Sequence, residues 1–395
     1  MLREYQLKAV EAAVQSKKNG VIVMPTGSGK SHVIAGITER LGKKTIVLQP
    51  TKEILEQNHQ KLADVGHSDI GVYSASAGSK TIGEITLATI GSVVKKKHLF
   101  DDFGFMIIDE CHLVNSKGGM YEKFINGLKL PVIGLTATPY RLRSYRHFAT
   151  GMPTGESRIL TRTRPKLFKK IIHVTQVGEL YDSGYLSPVK YVQDFGYNAK
   201  SIKSNSTGAG FDDKAVLAYN QRLDVINKAV KIARGTSQNH CLIFTQFRSE
   251  SKQVIYQLQS MGVSCVEISA ESKKKEREQI IEDFKSGKIK CVVNVGVLTT
   301  GFDFPELDCI VLARPTKSVS LYYQMVGRGI RISEGKEFCA VYDLCGNVKQ
   351  FGKIEKFNIF DQNGNGMWRL RSDAGYLTGI DLTTGQNLEK IKPKK

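Results

Sequence analysis

Five short apolar runs rich in β-branched residues, at 21–24, 45–48, 85–89, 105–109 and 132–136, are separated by stretches with helical spacing, as at 30–41 and 52–63. A continuous apolar strand must be buried on both faces, and strand–helix alternation supplies parallel strands with helices to cover them. The alternation resumes later, with helices near 221–233 and 250–261 and strands at 241–245, 263–268, 290–295, 310–313 and 339–342. The expected fold is therefore α/β, with two tandem parallel-sheet blocks. The chain's 395 residues also exceed the ~250–300 at which single cores stop growing. The expected organisation is a first block at 1–150, a basic connector or insert at 151–203, a second block at 204–350 and a short appendage at 351–395. Gly151, Pro153, Gly155 and Pro165 punctuate the connector, which ends in a strand-like 190–195 and a turn-rich 201–210.

Lys+Arg 57 against Asp+Glu 38 gives a net charge of +19, a field that favours a polyanionic partner. The excess is densest in residues 141–203, where Arg162, Arg164, Lys169 and Lys170 mix with Tyr140, Tyr145, Phe148 and Phe168. Cations on phosphates with aromatics on bases can hold a single strand, and a solvated connector reads equally well. Residues 273–278 are charged but precede Ile280, Ile281 and Phe284 at helical spacing, which predicts the outer face of an amphipathic helix. Seven scattered cysteines without a C-x-x-C pair predict reduced thiols. No apolar run approaches the ~18 residues of a membrane span, and the start lacks a signal-peptide core, so no membrane association and a cytoplasmic location are expected.

Met24-Pro25-Thr26-Gly27-Ser28-Gly29-Lys30-Ser31 joins a strand to a helix. Glycines let a backbone wrap a phosphate chain with its N–H groups and a helix N-terminus pointing inward. Lys30 would meet the β- and γ-phosphates, and the Ser31 hydroxyl would be a Mg²⁺ ligand. Met24 replaces the first glycine of the strict pattern, so a Gly-rich turn capping an ordinary helix is the competing reading. Asp109-Glu110 ends a later strand, where carboxylates would face the same crevice. Asp109 would hold Mg²⁺ and Glu110 would orient and deprotonate a water. Cys111-His112 has no partner pair for a zinc site. In Gln324-Met325-Val326-Gly327-Arg328-Gly329-Ile330-Arg331, Arg328 and Arg331 are spaced for one helical face and could reach a transferred phosphate; a salt-bridged surface helix fits the same spacing.

Together these segments resemble the superfamily-2 helicases, with motifs in order over residues 3–331. Arg3-x-x-Gln6 is similar to the adenine-reading motif, and 24–31, with Thr26, Gly27, Ser28 and Gly29, to the family's relaxed motif I. Pro50-Thr51, Thr89-Ile90-Gly91-Ser92, Asp109-Glu110-Cys111-His112 and Thr136-Ala137-Thr138 resemble motifs Ia, Ib, II and III. The segments 243–248, 296–303 and 324–331 resemble motifs IV, V and VI. Motif II reads DECH, unlike the DEAD of the RNA-specific group. Residues 134–139, 301–305 and 314–322 resemble the RadD branch of bacterial DNA-repair helicases, to which phage branch-migration helicases are related. The short region after the second block departs from that branch, so recruitment of partners through a long tail is not implied.

The resemblance implies two RecA-like domains with ATP and Mg²⁺ in the cleft between them. Arg3, Gln6, Gly301 and Asp303 would help hold nucleotide, and Gln324, Arg328 and Arg331 would act on it from the second domain. Pro50, Thr51, Thr89, Thr245, Arg248 and Thr299 would grip a nucleic-acid backbone. The implied function is an ATP-dependent DNA helicase or translocase on single-stranded or branched repair or recombination intermediates. It would be a monomer in a bacterial cell or phage-infected host, with single-strand-binding or recombination proteins as possible partners. A branch-remodelling ATPase that does not unwind, and an annealing protein with a regulatory ATPase, remain open alternatives, with an RNA helicase further off.

Asp361-Gln362-Asn363-Gly364-Asn365-Gly366 opens like a calcium loop, but the twelfth position, where a bidentate Glu belongs, is Ser372, so a tight turn is expected.

Overall fold

The computed structural model describes residues 2–115, 117–147, 150–193, 195–269, 271–296 and 304–388. The chain divides into two compact units. The first comprises Met1–Arg141, Arg158–Gln176 and Ile359–Arg369, and the second Leu142–Ser157, Val177–Asn358 and Leu370–Lys395.

The first unit is built on strands β1 (Gly20–Val23), β2 (Thr45–Gln49), β3 (Ile70–Ser74), β4 (Ser79–Lys80), β5 (Ile85–Thr89), β6 (Phe105–Ile108) and β7 (Val132–Thr136). A ribbon of β8 (Tyr140–Arg146) and β9 (Pro153–Ile159) then precedes β10 (Lys170–Val174). The sheet order is β10-β1-β7-β6-β2-β5-β3-β4. Every pairing except β3 with β4 is parallel. Strands β1, β2, β6 and β7 are buried at every residue, as their unbroken apolar runs require. Helices α1 (Glu4–Val14), α2 (Lys30–Leu41) and α3 (Lys52–Asp64) turn Ala9, Val10, Ala13, Val33, Ile37, Leu55 and Leu62 onto one core with Ile22, Val47 and Ile107. Each such fully buried Val, Leu or Ile contributes about 1.5–3 kcal/mol. β10 differs from the expectation for the basic segment. Residues 170–174 form an edge strand that directly follows the exposed Lys169, with Lys170 exposed, Ile171 buried and Ile172, His173 and Val174 half-buried, so it lacks the unbroken burial of the central strands.

The second unit has a six-stranded, all-parallel sheet. Its strands are β11 (Val189–Val192), β12 (Cys241–Thr245), β13 (Cys265–Ser269), β14 (Cys291–Val295), β15 (Cys309–Ala313) and β16 (Cys339–Asp343), in the order β11-β16-β15-β12-β14-β13. Four cysteines lie side by side across it: Cys265 opposite Cys291, Cys291 opposite Cys241, and Cys241 opposite Cys309. All four are buried and all seven cysteines are free thiols, serving as small apolar residues. The single helix expected at 221–233 is two, Asp213–Arg222 and Val225–Gly235, broken where Asp224 takes the left-handed conformation (φ 54). The outer part of the β8–β9 ribbon belongs to this unit. Buried Asp381 fixes the C-terminal segment to it, accepting from Tyr145 Oη (2.6 Å) and Thr154 Oγ1 (3.1 Å). Among the described residues no helix is long and apolar enough to cross a membrane.

Candidate active site

All the parallel strands of the first sheet end on one edge, so the loops after β1, β7, β6, β2 and β5 share it. β1 leads into the phosphate loop, whose Gly27 and Gly29 both stand at φ 80, a region costly for residues with a Cβ. A Cβ on Gly29 would also lie 2.5 Å from Gln6 Nε2. α2 starts at Lys30, with its first N–H groups at the loop. Gln6 is buried and holds the loop from behind: its Nε2 donates to the Ser28 carbonyl (2.9 Å) and its Oε1 accepts from Arg3 N (2.9 Å). Tyr5 Oη donates to the same carbonyl (2.9 Å), and Ser28 Oγ closes the turn on Pro25 O (2.7 Å). The side chain of Thr26 is half-buried at the loop's start.

β6 delivers Asp109 and Glu110. Glu110 has φ 47 and ψ 46, a left-handed turn that costs a residue with a Cβ about 1–2 kcal/mol and marks a site held by its surroundings. Lys30 Nζ is 3.5 Å from Glu110 Oε1. On Glu110's other side, His112 Nδ1 lies 3.2 Å from Oε2 and 2.9 Å from Thr136 Oγ1, which also accepts from Thr138 N (3.0 Å). Residues of motifs II and III are thus joined in one chain. Ser31 Oγ donates to Asn58 Oδ1, and Asn58 Nδ2 donates to Asp109 Oδ2 (3.2 Å), so one buried amide bridges both expected metal ligands. Asp109 is 5% exposed. Burial first, and the Glu110 charge second, push its carboxyl up to about 6, with Lys30 opposing.

This donor set fits a hard divalent cation: a hydroxyl and a carboxylate oxygen, and a desolvated negative charge that a cation would neutralise. Among the described residues no group of three or more His, Cys, Asp or Glu could hold a metal alone. Magnesium here would therefore complete its shell from phosphate and water, as it does in nucleotide sites.

Thr51 and Thr89 stand on the same edge, Thr51 just after β2 and Thr89 at the end of the neighbouring β5. Thr51 caps α3 by accepting from Ile54 N (3.4 Å), and Thr89 Oγ1 lies 3.0 Å from both Ser74 Oγ and Ser92 Oγ. Pro50 is half-buried beside them.

In the second unit, Thr245 ends β12 and is buried, while Arg248 pairs with Glu267 (2.9 Å) and Glu271. The pair with Glu271 is exposed on both sides and is worth little, whereas Glu267 is largely buried. Thr299, Gly301 and Asp303 lie outside the described residues. The helix Val319–Val326, capped by Ser318 Oγ on Leu321 N (3.2 Å), carries the half-buried Gln324. It stops before Arg328 and Arg331, which were expected on its face. Gly327 and Gly329 favour termination, and the chain continues as tight turns (Arg328 N to Met325 O, 3.4 Å; Gly329 N to Val326 O, 3.0 Å). Gly329 is needed there, because a Cβ would meet Cys339 Sγ at 2.3 Å. Lys336 Nζ clamps this turn, donating to Pro305 O (2.8 Å), Gly329 O (2.8 Å) and Arg331 O (2.9 Å). Arg328 is buried, and burial lowers the Arg331 guanidinium to about 10, leaving it charged at neutral pH.

Sequence reasoning passed over Asn58 and Lys336. Asn58 had a signal: it occupies the buried stripe of α3 between Leu55 and Leu62, where a polar residue needs a reason. Lys336 had none, since its partners are backbone carbonyls. Of the aromatics of the basic segment, Tyr140 and Phe168 are buried and offer no face to a base, Tyr145 is half-buried and donates its hydroxyl to Asp381, and Phe148 lies outside the described residues.

Residues 1–141 match the family model "Type III restriction enzyme, res subunit", and residues 221–333 match "Helicase conserved C-terminal domain". The chain is 24% identical over 375 residues to the putative ATP-dependent helicase IRC3 of Saccharomyces cerevisiae, covering 88% of this chain and 52% of that protein. It is 25% identical over 358 residues to the DNA 3'-5' translocase XPB2 of Sulfurisphaera tokodaii, covering 84% and 78%. A fragment of a putative HsdR subunit of a type I restriction enzyme from Vibrio vulnificus shares the fold (TM-score 0.64, 22% identity, 88% of this chain and 65% of that one). The chain spans between half and two thirds of the length of several relatives, 52% for the budding-yeast protein and 58% for the putative mitochondrial helicase irc3 of Schizosaccharomyces pombe. The two family models fall one on each unit, in the order expected of paired RecA-like domains, and the chain belongs to the superfamily-2 helicases.

Proposed function

We propose that the chain is an ATP-dependent DNA helicase or translocase that turns hydrolysis into movement along a strand. The observation that carries this is the cluster on the first sheet's edge: Lys30 against Glu110, and Ser31 and Asp109 bridged by Asn58. The loop N–H groups and Lys30 bind the β- and γ-phosphates. Glu110, held between Lys30 and His112, orients a water and takes its proton. Ser31 and Asp109 would hold magnesium, which when bound would offset phosphate charge. Arg328 and Arg331 stabilise charge in the transition state, as arginine fingers do. Because the loop and carboxylates belong to one unit and the arginines to the other, turnover needs both. Pro50, Thr51, Thr89, Thr245, Arg248 and Thr299 contact the nucleic-acid backbone, so sequence preference is weak and salt dependence steep.

Unwinding of forked, three-way and four-way DNA, beside matched RNA, tests the reading. Strand displacement with ATP but not with a non-hydrolysable analogue is expected, greatest on branched DNA. ATP-independent annealing instead would make the chain a binder with a regulatory ATPase.

A further inference from the structure

The opposite edge of the first sheet, where its parallel strands begin, carries a second feature. Asn19 ties two segments together there: its Nδ2 donates to Leu167 O (3.3 Å), its carbonyl accepts from Lys169 N (2.8 Å), and its Oδ1 accepts from Val132 N (3.2 Å). Gly20 then pairs with Lys170. This knot places Lys17 and Lys18 beside Arg164, Lys166, Lys169 and Lys170, all six exposed and none ion-paired with a described residue. Residues 157–178 contain no carboxylate. At this end of the sheet Asp102 is already paired with Lys44 (2.5 Å), and its strand lies roughly 10 Å from β1 at two strand spacings. Six like charges held on one edge by the Asn19 bonds and the β1–β10 ladder repel one another, a cost that a bound polyanion relieves.

We propose that this patch is a second nucleic-acid surface, which holds the backbone of a duplex arm. Duplex is favoured because Phe168, the aromatic residue within this run, is buried and offers no face to a base, leaving exposed cations for phosphates. The four residues of β1 separate the patch from the phosphate loop by roughly 13 Å, so it lies outside the edge that carries Thr51 and Thr89. The inference rests on the motor reading only in taking DNA as the ligand.

The test is the full-length chain with Lys17→Gln, Lys18→Gln, Lys166→Gln and Lys169→Gln together. Fluorescence anisotropy is read across a salt series with a short single strand and with a single-stranded tail joined to a long duplex. The expected result is a log K against log salt slope on the tailed duplex smaller by up to roughly 3–4, at about 0.9 per lost contact, with binding of the short strand unchanged. An unchanged slope on the tailed duplex overturns the proposal. So does an equal loss on both ligands, which would assign these lysines to the strand-tracking groove. Wild-type ATPase on the short strand is measured alongside, and its absence would count against the motor reading while leaving the patch to be judged on binding alone.

Discussion

Asp109→Asn should end hydrolysis and yet stabilise the magnesium-free protein. Burial, with the Glu110 charge second, raises the Asp109 carboxyl from 3.8 to about 6. Across that window the folded chain keeps a proton that the unfolded chain has released. Stability therefore falls as pH rises through the window, and above it the full penalty stands. At about 1.36 kcal/mol per pH unit the penalty is at most about 3 kcal/mol, a ceiling because Glu110 shares the proton. Asparagine removes the charge without emptying the site. The Asn58 amide can flip to offer its oxygen to the new amide, since the Ser31 hydroxyl accepts as well as donates. The assay is urea unfolding without magnesium, followed by the fluorescence of Trp368, the chain's one tryptophan, which belongs to the first unit. With m about 2 kcal/mol/M, the variant's midpoint should exceed the wild type's by up to about 1.5 M near pH 8, shrinking towards nothing below about pH 3. Saturating magnesium nucleotide should reverse the order. Equal midpoints across the pH range, or a wild type that gains on the variant as pH rises, would refute the buried-charge account.

Lys30→Ala should abolish turnover, and retained ATPase activity would overturn the phosphate-loop assignment. Arg331→Ala should bind labelled nucleotide normally in an equilibrium titration yet fail to hydrolyse it in a single turnover. Asn58→Leu should leave nucleotide affinity without magnesium unchanged while raising the magnesium needed for half-maximal ATPase by roughly 10–100-fold, the range typical of lost outer-shell partners. Lys336→Met should leave three carbonyls of the arginine turn without their ammonium, destabilising the second unit by about 2–4 kcal/mol in chemical unfolding and lowering kcat more than KM.

The sheets were legible because fully buried parallel strands write unbroken apolar runs, as in Phe105–Ile108 and Cys309–Ala313. The phosphate loop and the Asp109–Glu110 pair were legible because their chemistry depends on residues close in sequence. β3 escaped because Ile70-Gly71-Val72-Tyr73-Ser74 is interrupted by a glycine and half-exposed, and β10 because it is an edge strand led in by Lys169 and Lys170, with Ile171 its one fully buried residue. The helix carrying the arginines was read too far, although Gly327 and Gly329 already argued for its end. Asn58 left a trace as a polar residue in a buried stripe, but its partners 27 and 51 residues away are set by the fold, and Lys336 bonds backbone carbonyls 5, 7 and 31 residues away, whose positions no side-chain pattern encodes.

The row of thiols across the second sheet, with the lone Cys111 of the first unit, gives each unit its own chemical stopwatch. Cys111 is the cysteine of the first unit, while Cys241, Cys265, Cys291, Cys309, Cys339 and Cys345 all belong to the second, and every one is sealed from solvent. An alkylating reagent can reach them only when the enclosing body opens, so counting labelled sulfurs against time separates the opening of one half from that of the other. The same crowding carries a hazard: once opened in air, the row's four sulfhydryls can be oxidised to disulfides that the folded chain does not contain, and a reductant decides whether the chain can be refolded.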